Sequence, residues 1–231
     1  MVVLKRFPAI AAAVIVLTLE AQAQGADVRY PKMATIDQYL MAQDVEAAMA
    51  KTAAPDSISK DADVLVLDRQ GYRTLTKGRN GFVCMVLRSW TASFDDPEFW
   101  SQKLRGPICF NPPAVRSYLP VVFKRTKLAL AGKTREQLAG EMKAAFEAKE
   151  IPAIENGAIG YMQSKLGYLG DKNGHWHPHM MFYVAQMESA AWGANLPGSP
   201  ILGSPDPAEH LSIFIIPVPK WSDGSPDGGS H

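Results

Sequence analysis

Residues 62–87, ADVLVLDRQGYRTLTKGRNGFVCMVL, hold two short apolar runs, 62–67 and 81–87, with YRTLTK between them and RQG and GRNG at the junctions. Short runs rich in valine and leucine, bounded by glycine and asparagine, read as strands separated by turns. Asn80 and Gly81 tolerate the positive φ that a tight hairpin needs. The stretch predicts a three-stranded antiparallel meander.

Upstream, TIDQYLMAQDVEAAMAKTAAP (35–55) offers a threonine cap, an acidic first turn and Ile36, Tyr39, Leu40, Ala47 and Ala48 at near-helical spacing. It predicts an amphipathic N-terminal helix over about 35–52, stopping before Pro55. Downstream, 90–113 mixes aromatics with Asp95, Asp96, Pro97, Gly106, Pro107, Pro112 and Pro113, a composition that predicts a long ordered loop held by Cys109. Asn111 can cap a helical stretch reaching about 130, which Pro120 bends or divides. Thr134 and Gln137 form a capping box ahead of TREQLAGEMKAAFEAKE, and Gly132 joins the two helices as an αα-hairpin.

Further strands are expected at 157–169, 180–184 and 211–218. The last two are apolar on both faces and so suited to central positions. The closing SDGSPDGGSH, 222–231, reads as a disordered tail. This order of elements predicts an α+β domain over 24–221: a mainly antiparallel sheet with helices packed on one face, preceded by the N-terminal helix.

The beginning of the chain reads as an export signal. Lys5 and Arg6 precede an apolar run over 7–19, and Ala21, Gln22 and Ala23 supply a small-residue cleavage site before Gln24. The run is shorter than the roughly 20 residues a spanning helix requires. Cleavage would leave a formally neutral product in the periplasm or outside the cell, with no stable membrane insertion. The whole chain of 231 residues is 47% apolar and 20% charged, which excludes collagen, coiled coil and long disorder. Its formal charge of +1 provides no basic field for nucleic acid.

Cys84 and Cys109 are the only cysteines, and an exported chain meets oxidising conditions, so they are expected to pair. Closing a loop of about 25 residues is worth roughly 3 kcal/mol in the chain-entropy account. Common enzyme signatures fail. Gly132, Lys133 and Thr134 resemble the end of a phosphate-binding loop, but its first glycine is replaced by Lys127. Ser57 and Lys60 spell SxxK without companion motifs, and no GxSxG, HExxH or dinucleotide GxGxxG is present.

One segment stands apart. In GHWHPHMMFY (174–183), His175, His177 and His179 occupy alternate positions ahead of an apolar strand. Alternate residues of an extended chain project from one side, about 6.6 Å apart, so two imidazoles can converge on one metal ion. His210, at the head of the last strand, is the leading candidate to complete such a site. Zinc or copper suits it, copper because Met162, Met180 and Met181 add soft thioethers. A metal-free polar pocket, or histidines that only satisfy backbone groups around Pro178, fits the same pattern. Trp176, Tyr161, Lys165, Tyr168 and Trp192 are the candidates to line a ligand pocket.

At YLMAQDVEAAMAKTAAPDSIS, GRNGFVCMV, SWTASFDDPEFW, RGPICFNPPAVRSYLP, GHWHPHMMFY, WGANLPGSP and PVPKWSDG the chain resembles a set of uncharacterised exported bacterial proteins. The resemblance runs from about 39 to 224. It implies an exported single unit and supplies no activity. The expectation is therefore a non-enzymatic domain binding an unidentified small ligand, metal or protein at 175–179. A hydrolase-like enzyme using a histidine base or metal-activated water, and a structural protein with packing histidines, are the competing readings.

Overall fold

The computed structural model describes residues 29–171 and 177–228. The expected signal segment and residues 172–176, which include His175 and Trp176, lie outside the described residues. The fold is α+β, built on an eight-stranded, mostly antiparallel sheet. Its strands are β1 (Asp63–Asp68), β2 (Gly71–Thr76), β3 (Val83–Leu87), β4 (Gly106–Phe110), β5 (Ile159–Met162), β6 (His179–Ala185), β7 (Leu202–Asp206) and β8 (Leu211–Pro217). They lie in the order β2-β1-β3-β4-β5-β6-β8-β7. Among the described residues, no helix is long and apolar enough to cross a membrane.

The expected meander is only half present. β1 and β2 form an antiparallel hairpin, but β3 runs parallel to β1 on its other side. The reason lies in the second turn. Arg79 N and Asn80 N donate to Asp61 O, the Asp63 carboxylate accepts from Gly78 N, and Asn80 Nδ2 reaches Ile58 O, so 77–82 folds back across the start of β1. Gly78 is confined there, because a Cβ on it would lie 2.2 Å from Asp61 O. β1 is buried along its middle whereas β2 is mostly exposed, so β2 takes the edge and β1 gains a partner on each side.

The helices are α1 (Gln43–Lys51), α2 (Asp56–Ser59), α3 (Pro112–Ser117), α4 (Leu119–Leu130) and α5 (Arg135–Glu147). Helical cover extends to both faces of the sheet, beyond the single face expected. Leu65, Leu67, Val83, Met85, Leu87, Ile108 and Phe110 share one apolar cluster with Val121, Val122, Leu138 and Met142 of α4 and α5. Their neighbours along the same strands, Val64, Cys84, Val86 and Cys109, form a second cluster with Ala50 of α1 and with Ala53 and Ala54. Strands apolar on both sides need burial on both sides.

The N-terminal helix is not continuous over 35–52. A 3-10 turn at Ile36–Gln38 is separated from α1 by Tyr39, which is fully buried and donates from Oη to Trp100 O at 2.8 Å. Thr35 makes no side-chain cap bond, and Ala42 precedes α1 in extended conformation. The capping box of Thr134 and Gln137 is present, and the 112–130 stretch breaks at Tyr118, with Pro120 in the first turn of α4. Cys84 and Cys109 are opposite each other on β3 and β4 and form the disulfide. The 90–113 stretch is not all loop, since it contains β4, and 202–206, LGSPD, forms edge strand β7. Residues 222–228, read as tail, are tied down: Ser222 N donates to Gln163 O, Trp221 N to Ser225 O and Asp227 N to Pro219 O.

Candidate functional site

Where β3, β4, β5, β6 and β8 run side by side, they present Leu87, Gly106, Met162, His179, Met181 and Ile215 to one cavity of about 170 Å³. Thr91, Ala92, Asp96 and Leu104 from the β3–β4 connection, with Leu169, complete its wall. The register sets this row, since Leu87 faces Gly106, Met162 faces His179, and Met181 faces Ile215. Gly106 keeps the space open: a Cβ there would sit 3.3 Å from Met162 Cε and 3.4 Å from Leu87 Cβ. An apolar space of about 150 Å³ is enough for benzene, so this open-sided cavity can admit a guest of at least that size.

Buried ion pairs brace the connection that walls the cavity. Arg88, fully buried, donates from Nε to Tyr39 O and pairs with Glu46 of α1 at 2.9 Å. Arg125 of α4 donates to Ala92 O and Trp90 O, pairs with Glu209 and Asp206, and lies 4.0 Å over the Phe94 ring. Opposite charges and carbonyls offset the cost of burying these guanidiniums, so the wall is held in place before any guest arrives.

His179 is the buried polar group of the cavity, 7% exposed. Its Nδ1 lies 2.8 Å from His177 O, and a carbonyl only accepts, so Nδ1 carries the proton and Nε2 the ring's lone pair. Burial pushes the imidazole below its ordinary value. The carbonyl bond opposes that shift and the neighbouring His177 ring adds to it. His179 is therefore neutral at pH 7.

His177, two residues back in the chain and just ahead of β6, places Nδ1 2.6 Å from Asp227 Oδ2. The carboxylate is 2% exposed and the imidazole 38%. A carboxylate beside one ring nitrogen is the arrangement used to orient a base or a metal ligand. Asp227 is delivered by the turn in which Lys220 and Pro226 bridge. Its position inside a Gly, Ser and Pro-rich segment hid it from sequence reasoning.

The other expected site residues disperse. Leu211 pairs with Ala185 and Pro217 with His179, so His210 lies at the opposite end of the β6–β8 ladder, about 20 Å away by strand rise. It cannot join His177 and His179, and it sits edge-on to Phe146 instead. Tyr161 packs with Phe82 on the disulfide face. Trp192 stacks on Phe214 at 4.3 Å; Phe214 pairs with Phe182, which is out of phase with His179, so this stack also lies on the other face. Lys165 pairs with Asp223 at 2.8 Å in solvent. Tyr168 bonds Asp171 while its backbone bridges Arg105. None of these four lines the cavity.

Among the described residues, no group of three His, Cys, Asp or Glu side chains is placed to hold a metal ion. Met162 and Met181 do reach the cavity, whereas Met180 faces the other side beside Tyr161. The remaining wall residues carry no local signal, because only the tertiary register assembles them. Compared with family models, curated proteins and solved structures, the chain has no match in any of the three.

Proposed function

We propose that the protein is an exported, non-enzymatic binding domain that takes a small guest in the His179 cavity. The observation that carries this reading is an apolar chamber of about 170 Å³ containing one buried, neutral imidazole and braced by buried ion pairs. Such a chamber favours a compact, largely apolar guest and gives it a polar group for orientation. Calorimetric titration with phenol tests it. One-site binding is expected, weakened strongly in Gly106→Val and Ile215→Phe, each of which adds volume to the wall. Equal binding by both folded variants would place the guest elsewhere and contradict the reading.

A second reading is favoured by the Asp227–His177 pair, a carboxylate-oriented imidazole suited to act as a general base on water or an ester. Hydrolysis of activated esters by the wild type, lost in His177→Ala, would support it. A rate no greater than that of free imidazole would remove it.

A further inference from the structure

We propose that Met181 is a methionine-sulfoxide modification site, at which a peroxide delivers one oxygen atom to Sδ and the Tyr183 hydroxyl holds that oxygen within the folded protein. The inference goes beyond the guest reading and does not depend on it.

The sulfur has an unusual partner. Tyr183 is 1% exposed, and its Oη donates to Met181 Sδ at 3.6 Å, its one hydrogen-bond partner among the described residues. A thioether is a weak acceptor, whereas a buried tyrosine hydroxyl usually finds a strong one. The ring is stacked on Tyr118 with centroids 3.7 Å apart and packs against Phe110, which holds the hydroxyl in place. Burial pushes the phenol above its ordinary value and Tyr118 adds to the shift, so the group remains a donor.

The separation suits the oxidised form. With an S–O bond of about 1.5 Å, an O–H···O distance of about 2.75 Å and an angle of about 115° at the sulfoxide oxygen, sulfur and hydroxyl stand roughly 3.6 Å apart. They already do. Gly160, paired with Met181 across the β5–β6 ladder, leaves room beside the hydroxyl, since a Cβ there would lie 3.1 Å from Tyr183 Oη.

Access separates Met181 from the core methionines. It is partly exposed and lines the cavity, whereas Met85 and Met142 are fully buried and Met162 is 3% exposed. Met33, Met41, Met49, Met180 and Met187 are also partly exposed, but among the described residues none has a hydrogen-bond donor at its sulfur. In the step itself, a sulfur lone pair attacks one oxygen of hydrogen peroxide and the S–O bond forms as the O–O bond breaks. The second oxygen leaves as water after taking the proton of the first. Sulfur loses two electrons, peroxide gains them, and Tyr183 keeps its proton.

Hydrogen peroxide is the probe, applied to the folded wild type, Met181→Leu and Tyr183→Phe. The leucine conserves core volume and the phenylalanine keeps the stacked ring. Peptide mass mapping should find sulfoxide at Met181 while Met85, Met142 and Met162 stay reduced. The ζ-carbon NMR signal of Tyr183 should shift on oxidation of the wild type and stay unmoved in Met181→Leu. Urea unfolding, corrected for the change that oxidation causes in Met181→Leu, should show oxidation lowering the folding equilibrium constant at least about tenfold more in Tyr183→Phe than in the wild type. Should Tyr183→Phe not fold, the ζ-carbon shift decides. A Met181 that stays reduced while Met187 is converted, a Tyr183 signal unmoved by Met181 oxidation, or an oxidised wild type destabilised as much as oxidised Tyr183→Phe overturns the proposal.

Discussion

Met162 and His179 face each other across the β5–β6 ladder, and this single pairing places an imidazole and a thioether on the same side of the sheet. A slip of one residue in β6 would exchange His179 for Met180 and turn the ring to the other face. β6 is apolar on both sides, so its own pattern does not fix the register. The neighbouring pairs Ile159 with Phe182 and Tyr183 with Ile213 do.

The burial of that imidazole has a pH signature. Its value in the folded chain is lowered, so the unfolded chain binds the extra proton first. Stability is therefore full above the ordinary histidine value of about 6.5 and is lost as pH falls from there toward the lower folded value. Urea midpoints measured between pH 8 and pH 5 should fall more steeply for wild type than for His179→Gln. Parallel slopes would mean that the ring is solvated.

Removing the carboxylate partner of His177 should loosen the C-terminal turn. Asp227→Asn replaces a charge-assisted bond at 2.6 Å with a neutral one and should cost about 2 kcal/mol, read from urea unfolding. Hydrogen exchange at Asp227 N, which donates to Pro219 O, should speed up in the same variant. Unchanged exchange would show that the pair does not hold the turn.

The disulfide joins two buried strands beneath α1 across a separation of 25 residues. Replacing both cysteines by alanine should lower unfolding stability by about 3 kcal/mol, chiefly by freeing the unfolded chain. Calorimetry of the double variant decides this. A loss well under 1 kcal/mol would assign the pair no stabilising role.

Arg125 links α4, the cavity wall and the turn before β8 through Glu209 and Asp206. Arg125→Met leaves Glu209, 1% exposed, without its cation, and should cost about 3–5 kcal/mol. Adding Glu209→Gln should restore part of the loss, since the stranded charge is removed. A double variant less stable than Arg125→Met would refute the idea that the stranded carboxylate is the cause.

Much of the framework is legible in local patterns. The α+β class, the capping box at Thr134, the division near Pro120 and the Cys84–Cys109 pair each depend on residues close in sequence or on chemistry visible in it. What is not legible depends on tertiary competition. β4 reads as loop because Gly106 and Pro107 break its pattern, yet Gly106 sits where a Cβ would come 3.3 Å from Met162 Cε. The parallel β1–β3 pairing arises from Asp61 and Asp63 capturing the 78–80 backbone, which no periodicity reveals. In the site, the alternation of His177 and His179 was visible, whereas His210 misled because strand length separates the two ends of β8. Asp96, Leu104 and Asp227 arrive from irregular segments whose composition says only that they bend.

Intermolecular NMR contacts from phenol to assigned methyl groups test the central claim most directly. A guest in the His179 cavity should show contacts to the ε-methyls of Met162 and Met181 and to the δ-methyl of Ile215, with none to Met180 or to Val184 on the opposite face. Contacts confined to that opposite face, or saturating phenol with no contact to the three cavity methyls, would contradict it.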